Sequence, residues 1–182
     1  MPPENARRLG ELLRRRNLID AEIAALINRP MAAGHPGEWI AAQVFDLQLE
    51  PSATATAIDG RFRSGPLAGR SVNVKWYLKR EGILDMTTSE VLDYYLVMTG
   101  PSASAASSRG GVRPWCIHNV YLFDARELLE VQRARGVKIG IASSVPKALW
   151  AAAEIFPVAT NVQLSMTGEQ RAALEVFRLD AP

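Results

Sequence analysis

The 182 residues, 48% hydrophobic and 22% charged, suffice for one globular domain with a small appendage and exclude a disordered or fibrous chain. One cysteine, Cys116, and two histidines exclude an intrachain disulfide framework and a Cys-rich zinc site. The formal net charge is only +2, no apolar run approaches the ~20 residues of a bilayer-spanning helix, and the N-terminus lacks a secretory signal, so a soluble, cytoplasmic protein with no membrane partner is expected.

In chain order, Glu4 to Ile27 is helical by its apolar spacing. Leu9, Leu12 and Leu13 form one stripe, and Ile19, Ile23, Leu26 and Ile27 form another. Asn17 and Asp20 between the stripes, with Asp20 as an N-cap, predict a helical pair that Pro30 ends. Residues 1–30 are thus expected as a helical extension and 31–182 as the main unit. GEWIAAQVFDL reads as a helix with Pro36 and Glu38 in its first turn and Trp39, Ile40, Val44 and Phe45 on its buried side.

ATATAIDGRF and RSVNVKWYLK alternate and read as a strand hairpin. In the second, Val72, Val74, Trp76 and Leu78 point one way, and Asn73, Lys75 and Tyr77 point the other. Thr87 to Val91 reads as a short helix, DYYLVMTG as a strand, PSASAASSRGGVRP as a loop and CIHNVYLFD as a strand. Asp124 and Glu127 form a capping box for the helix ARELLEVQRAR, closed by Gly136. VKIGIA reads as a strand, and PKALWAAAEIF and GEQRAALEVF as helices, the latter capped by Thr167. The order predicts an α/β (α+β) fold with a mixed central sheet flanked by helices.

No GxxxxGK[ST], GxGxxG, GxSxG, HExxH or paired CxxC occurs, so nucleotide-binding, serine-hydrolase and zinc readings lose their motifs. One constellation remains. Asn73 and Lys75, two apart, share a face of one strand; Asp59 on the paired strand lies beside them, and a helix over the sheet brings Glu38 in. Two carboxylates make a hard oxygen site for Mg²⁺ (or Mn²⁺), and a nearby lysine suits phosphodiester hydrolysis. Arg61 to Arg80 contains six basic and no acidic residues, as a polyanion partner requires. A second basic cluster, Arg7 to Arg16, reads more simply as a solvated face.

Glu38…Asp59-Gly60…Asn73-Val74-Lys75 resembles the core of the PD-(D/E)XK, or restriction endonuclease-like, superfamily over Pro36 to Ile141. The resemblance implies an α-β-β-β-α-β core, Asp59 and Glu38 as metal ligands and Lys75 as the motif lysine. Ile58 stands where the motif has Pro, and Asn73 where it has Asp or Glu; Asn73 would give one carbonyl ligand without charge. On this reading Lys75, Asp59, Glu38 and Asn73 are catalytic, and Arg61, Arg63, Arg70, Tyr77, Lys79 and Arg80 contact nucleic acid, DNA before RNA. A homodimer is implied, since double-strand cleavage by this chemistry commonly needs two sites. The rival is a catalytically inactive nucleic-acid-binding or assembly module. Simpler roles stand beside both: Glu38 as a helix cap, Asp59-Gly60 as a turn, and Lys75 as an exposed strand residue. His118 reads as structural, and Cys116 as buried and inert.

Overall fold

The N-terminal segment is one uninterrupted helix, α1 (Glu4–Ile27), in the computed structural model of the chain, which describes residues 4–32, 34–51, 57–102 and 114–179. It replaces the two helices expected. No Gly or Pro interrupts residues 11–27, and Asp20 does not cap: it pairs with Arg16 one turn back, Oδ2 to Nε 3.5 Å. The helix stops at Asn28, whose φ of 54° is left-handed, two residues before Pro30. Ile27 is the one α1 residue buried in the core.

Helix α2 (Gly34–Phe45) begins earlier than its sequence suggests, so Glu38 is its fifth residue and not part of the first turn. Its buried side is Pro36, Gly37, Ile40, Ala41, Val44 and Phe45, with Trp39 only partly buried. Gly37 allows the close approach to the strand that carries Trp76: a Cβ there would lie 3.0 Å from the Cβ of Trp76.

Among the described residues, eight strands follow: β1 (Leu47–Leu49), β2 (Gly60–Phe62), β3 (Ser71–Tyr77), β4 (Ile83–Leu84), β5 (Tyr94–Thr99), β6 (Asn119–Asp124), β7 (Ser143–Ser144) and β8 (Glu154–Phe156). Six form a mixed, mostly antiparallel sheet in the order β1-β2-β3-β5-β6-β8, in which β3–β5 is the parallel pair. The expected hairpin is the β2–β3 pair, although β2 spans only three residues and 53–56 of the predicted strand lie outside the described residues. β1 was not evident from the sequence because three residues carry no readable period.

β3 alternates as its sequence predicts. Val72 and Val74 join Leu96, Met98, Val120 and Leu122 in a core covered by α2 and α5 (Gly168–Glu175), and Trp76 packs against it. On the other face, Tyr95, Val97, Tyr121 and Phe123 are covered by α3 (Ala125–Ala134) and α4 (Lys147–Ala153), with Tyr77 at the margin. Asp124 caps α3 by accepting from the Glu127 N–H at 2.9 Å, and Gly136 follows with φ 68°. Thr167 and Gln170 form a full capping box on α5.

Three expectations fail. Thr87 to Val91 is not helical; the Tyr95 hydroxyl accepts the Thr87 N–H and the Tyr77 hydroxyl accepts the Asp85 N–H, so side chains from the sheet satisfy backbone donors of this irregular segment. Consequently the crossover from β3 to β5 carries no helix, and it pairs β4 with β7. VKIGIA is not a strand; the pairing falls on Ser143–Ser144, after Ala142 at φ 57°. The predicted helix through Phe156 stops at Ala153, because Ile155 and Phe156 bury themselves as sheet residues against β6. The loop expected at 101–114 lies largely outside the described residues. Among the described residues, no helix is long and apolar enough to cross a membrane.

Gly100, directly after β5, packs tightly against the start of the crossover. Its N–H donates to Tyr77 O at 2.8 Å, and a Cβ on it would collide with the Leu78 carbonyl. Gly100→Ala is therefore expected to cost about 1–3 kcal/mol. Gly168→Ala, in open space at the start of α5, is expected to change stability by less than about 0.5 kcal/mol. Urea unfolding of the two variants beside wild type checks the contrast.

Candidate functional site

β2 and β3 separate at Asp59. Their ladder pairs Gly60 with Val72 and Arg61 with Ser71, and the Asp59 N–H still donates to Val72 O at 2.9 Å. The next donor along that edge of β3, the Val74 N–H, has no strand opposite it. The Asp59 carboxylate takes the strand's place: Oδ2 accepts from Val74 N at 2.7 Å. Its other oxygen, Oδ1, has no protein donor among the described residues.

Burial pushes the Asp59 carboxyl above the ordinary carboxylate range; the Val74 N–H and Lys75 pull it down, Glu38 pushes it up, and Arg29 pulls it down. The same charges identify its neighbours. Glu38 reaches the site from α2 and Lys75 from β3, as the sequence predicts. Arg29, from the short link after α1, was not singled out. Its Nη1 donates to Glu38 Oε2 at 2.5 Å, and both side chains are partly buried. A single basic residue beside a proline carries no motif, so only the fold brings it here.

Asn73 is 6% exposed. Its Nδ2 donates to Ala57 O at 3.1 Å, on the segment that carries Asp59, while Oδ1 is buried with no partner among the described residues. Such an orphaned acceptor costs free energy unless something fills it. Lys75, half-buried on the same face, forms no ion pair among the described residues. Asp59, Glu38, Asn73 and Lys75 are thus brought together, with Arg29 as a fifth member. Glu38 lies beyond the first helical turn, so it is not a first-turn cap, and Asp59 ends a strand ladder.

The basic window is less uniform in space than in sequence. Arg63 pairs with Asp46 at 2.5 Å, Arg70 with Asp93 at 3.0 Å and Lys79 with Glu81 at 2.5 Å, so acids from outside the window meet three of its six bases. Arg80 donates to the Tyr121 hydroxyl at 3.0 Å and to Ser102 Oγ at 3.2 Å. The Tyr77 hydroxyl accepts from Asp85 N at 2.9 Å, and burial raises its pKa. Arg61 is exposed, with Nη1 donating to Gly69 O at 3.2 Å, and pairs in register with Ser71, so it shares the face of Asn73 and Lys75. Cys116 is buried, and burial raises its thiol pKa.

No protein-family model matches the chain, and no curated protein matches it.

A carboxyl raised in the folded state favours folding in acid, and that contribution is lost as pH rises from the ordinary carboxylate range through the raised value. Asp59→Asn removes the charge and keeps an acceptor for Val74, so at pH 7 its stability is expected to equal or exceed that of wild type. Asp59→Ala strands the Val74 N–H and is expected to cost about 1–3 kcal/mol. Denaturant titrations at pH 7 and pH 4 separate the effects. Equal destabilisation by both variants would remove Asp59 from the structural role given it here.

Proposed function

We propose that this chain is a Mg²⁺- or Mn²⁺-dependent nuclease that hydrolyses phosphodiester bonds in nucleic acid, DNA before RNA. The observation carrying this reading is the half-buried carboxylate of Asp59, charged neighbours Glu38 and Lys75 around it, and an orphaned amide oxygen on Asn73 beside its segment. The resemblance to the PD-(D/E)XK superfamily supports the same assignment, since it names these positions. The non-helical β3–β5 crossover departs from that core.

The donor set fits a hard dication. Asp59 Oδ1 and Asn73 Oδ1 are both oxygens without a protein donor among the described residues, and Glu38 adds a second carboxylate. Among the described residues there is no group of three His, Cys, Asp or Glu able to hold a metal; two carboxylates and an amide would leave the remaining ligand positions to water, which Mg²⁺ commonly keeps. A Mg²⁺ in this set would supply Lewis acidity to a phosphoryl oxygen and to an attacking water. Lys75 holds its ammonium where it can hydrogen-bond a phosphate oxygen and offset the charge that grows there. Arg61 offers a backbone contact on the same face.

One observation favours the rival reading. Arg29 holds Glu38, and Asn73 is neutral, so the site can bind a phosphate backbone without cutting it. Incubation with DNA and RNA substrates in Mg²⁺ or Mn²⁺ tests both. Cleavage is expected, with Lys75→Ala lowering the rate by at least about 10²-fold at unchanged stability. A Lys75→Ala variant as active as wild type would falsify the assignment. Salt-sensitive binding with no cleavage in either metal would select the inactive module. Asn73→Asp adds a third carboxylate and is expected to tighten Mn²⁺ binding by about tenfold in calorimetry. That gain should fade as pH falls toward the raised Asp59 range, since the cation competes with its proton.

A further inference from the structure

The largest unexplained surface is on α1. All but one of its 24 residues lie outside the core, and Leu9, Leu12, Leu13, Leu18, Ile19 and Leu26 are exposed, Leu26 to 71%. The exposed apolar residues are not scattered. Leu9, Leu12, Arg16, Ile19, Ile23 and Leu26 step by three and four, which is the a/d seam of three heptads with a single polar position, Arg16. Most of that seam faces an open cleft of about 700 Å³. The far wall of the cleft is also apolar and comes from the body of the protein: Trp39, Trp76, Trp115 and Phe177.

Among the described residues, an apolar seam of this length is unpartnered within the chain, and the charges beside it identify which helix fits against it. Placed antiparallel, a second α1 sets Leu9 opposite Leu26, Leu12 opposite Ile23, and Arg16 opposite Ile19. The flanking positions then set Arg15 of each helix beside Glu22 of the other, two opposite-charge pairs related by symmetry. A parallel arrangement would instead bring Arg16 against Arg16 across the seam. Arg16 is already partnered by Asp20 within its own helix, so its alkyl stem is free to cover Ile19.

We propose that two copies of this chain associate through α1, each helix lying antiparallel on the other, seam against seam. The contact is isologous and closes on itself, so it gives a dimer and not a filament. It does not depend on the proposed nuclease activity.

Sedimentation velocity on the full chain tests it, with a species of twice the 19.9 kDa chain mass expected. Leu12→Glu with Ile19→Glu should yield the single-chain mass, with circular dichroism showing an intact fold. Arg15→Glu and Glu22→Arg, both on the exposed helix surface, should each weaken the dimer by about tenfold, and the two together should restore it. A wild-type chain that stays monomeric at every attainable concentration overturns the proposal. So does a dimer indifferent to the seam variants, and failure of the charge swap to restore association overturns the antiparallel arrangement.

Discussion

The hydrogen bond from the Val74 N–H to Asp59 Oδ2 is the contact on which the site's architecture rests. A sheet edge cannot leave a donor unsatisfied in a half-buried position. Here a carboxylate ends the β2–β3 ladder in place of another residue of strand, which lets the two chains diverge while Asp59 stays fixed. Beside it, the segment that carries Asp59 stays tied to the buried Asn73 through Ala57 O, and Lys75 is half-buried on the same face of β3. On the opposite face, α2 packs against Val72 and Val74 and projects Glu38 toward the same edge. One backbone requirement therefore holds a carboxylate at the place where three other polar side chains converge.

Arg29 adds a second constraint. It follows directly on the left-handed Asn28 that ends α1 and grips Glu38 in the second turn of α2. α1 has little burial of its own, and this ion pair is a polar tie between its exit and α2. Partly buried, it is worth more than an exposed pair but must still offset desolvation of both groups. Asp93 plays a comparable part at the start of β3. Its Oδ2 accepts from the Ser71 N–H and hydroxyl, each at 2.8 Å, and Arg70 holds Oδ1, which together keep its carboxyl below the ordinary range despite partial burial. The start and the middle of the motif strand are thus anchored by aspartates outside it.

The elements legible in the sequence are those with a full period or a cap. β3, β5, β6, α2, α3 and α5 follow from alternation, helical spacing, Asp124 and Thr167. The misread segments are short ones governed by partners far along the chain. Two tyrosine hydroxyls, from β3 and β5, tie the backbone of the crossover to the sheet, and β6 draws Ile155 and Phe156 into it. Asp20 resembled a cap because its local spacing is the same whether a helix begins there or continues; the Arg16 pair decides it. In the site, Glu38, Asp59, Asn73 and Lys75 were legible as a pattern across three elements. Arg29 was not, and neither were the carboxylates that meet the basic window, because sequence proximity says nothing of Asp46 beside Arg63 or Asp93 beside Arg70.

The charges of the site bear on how the proposed activity would work. Two carboxylates, Asp59 and Glu38, face two cations, Arg29 and Lys75, so the cluster is close to neutral. A neutral cluster does little to draw a dication out of water, where Mg²⁺ keeps its own shell. Burial has already made the Asp59 anion costly, and Arg29 competes for Glu38. A phosphodiester changes that balance. Its negative charge gives Lys75 a partner, and Arg29 a second one besides Glu38. Each cation drawn toward the phosphate leaves a carboxylate with unsatisfied charge. On the proposed reading, the neutral Asn73 therefore does not weaken the site in isolation from the rest. It makes cation and substrate mutually dependent, because neither charge alone is matched by the residues that surround Asp59.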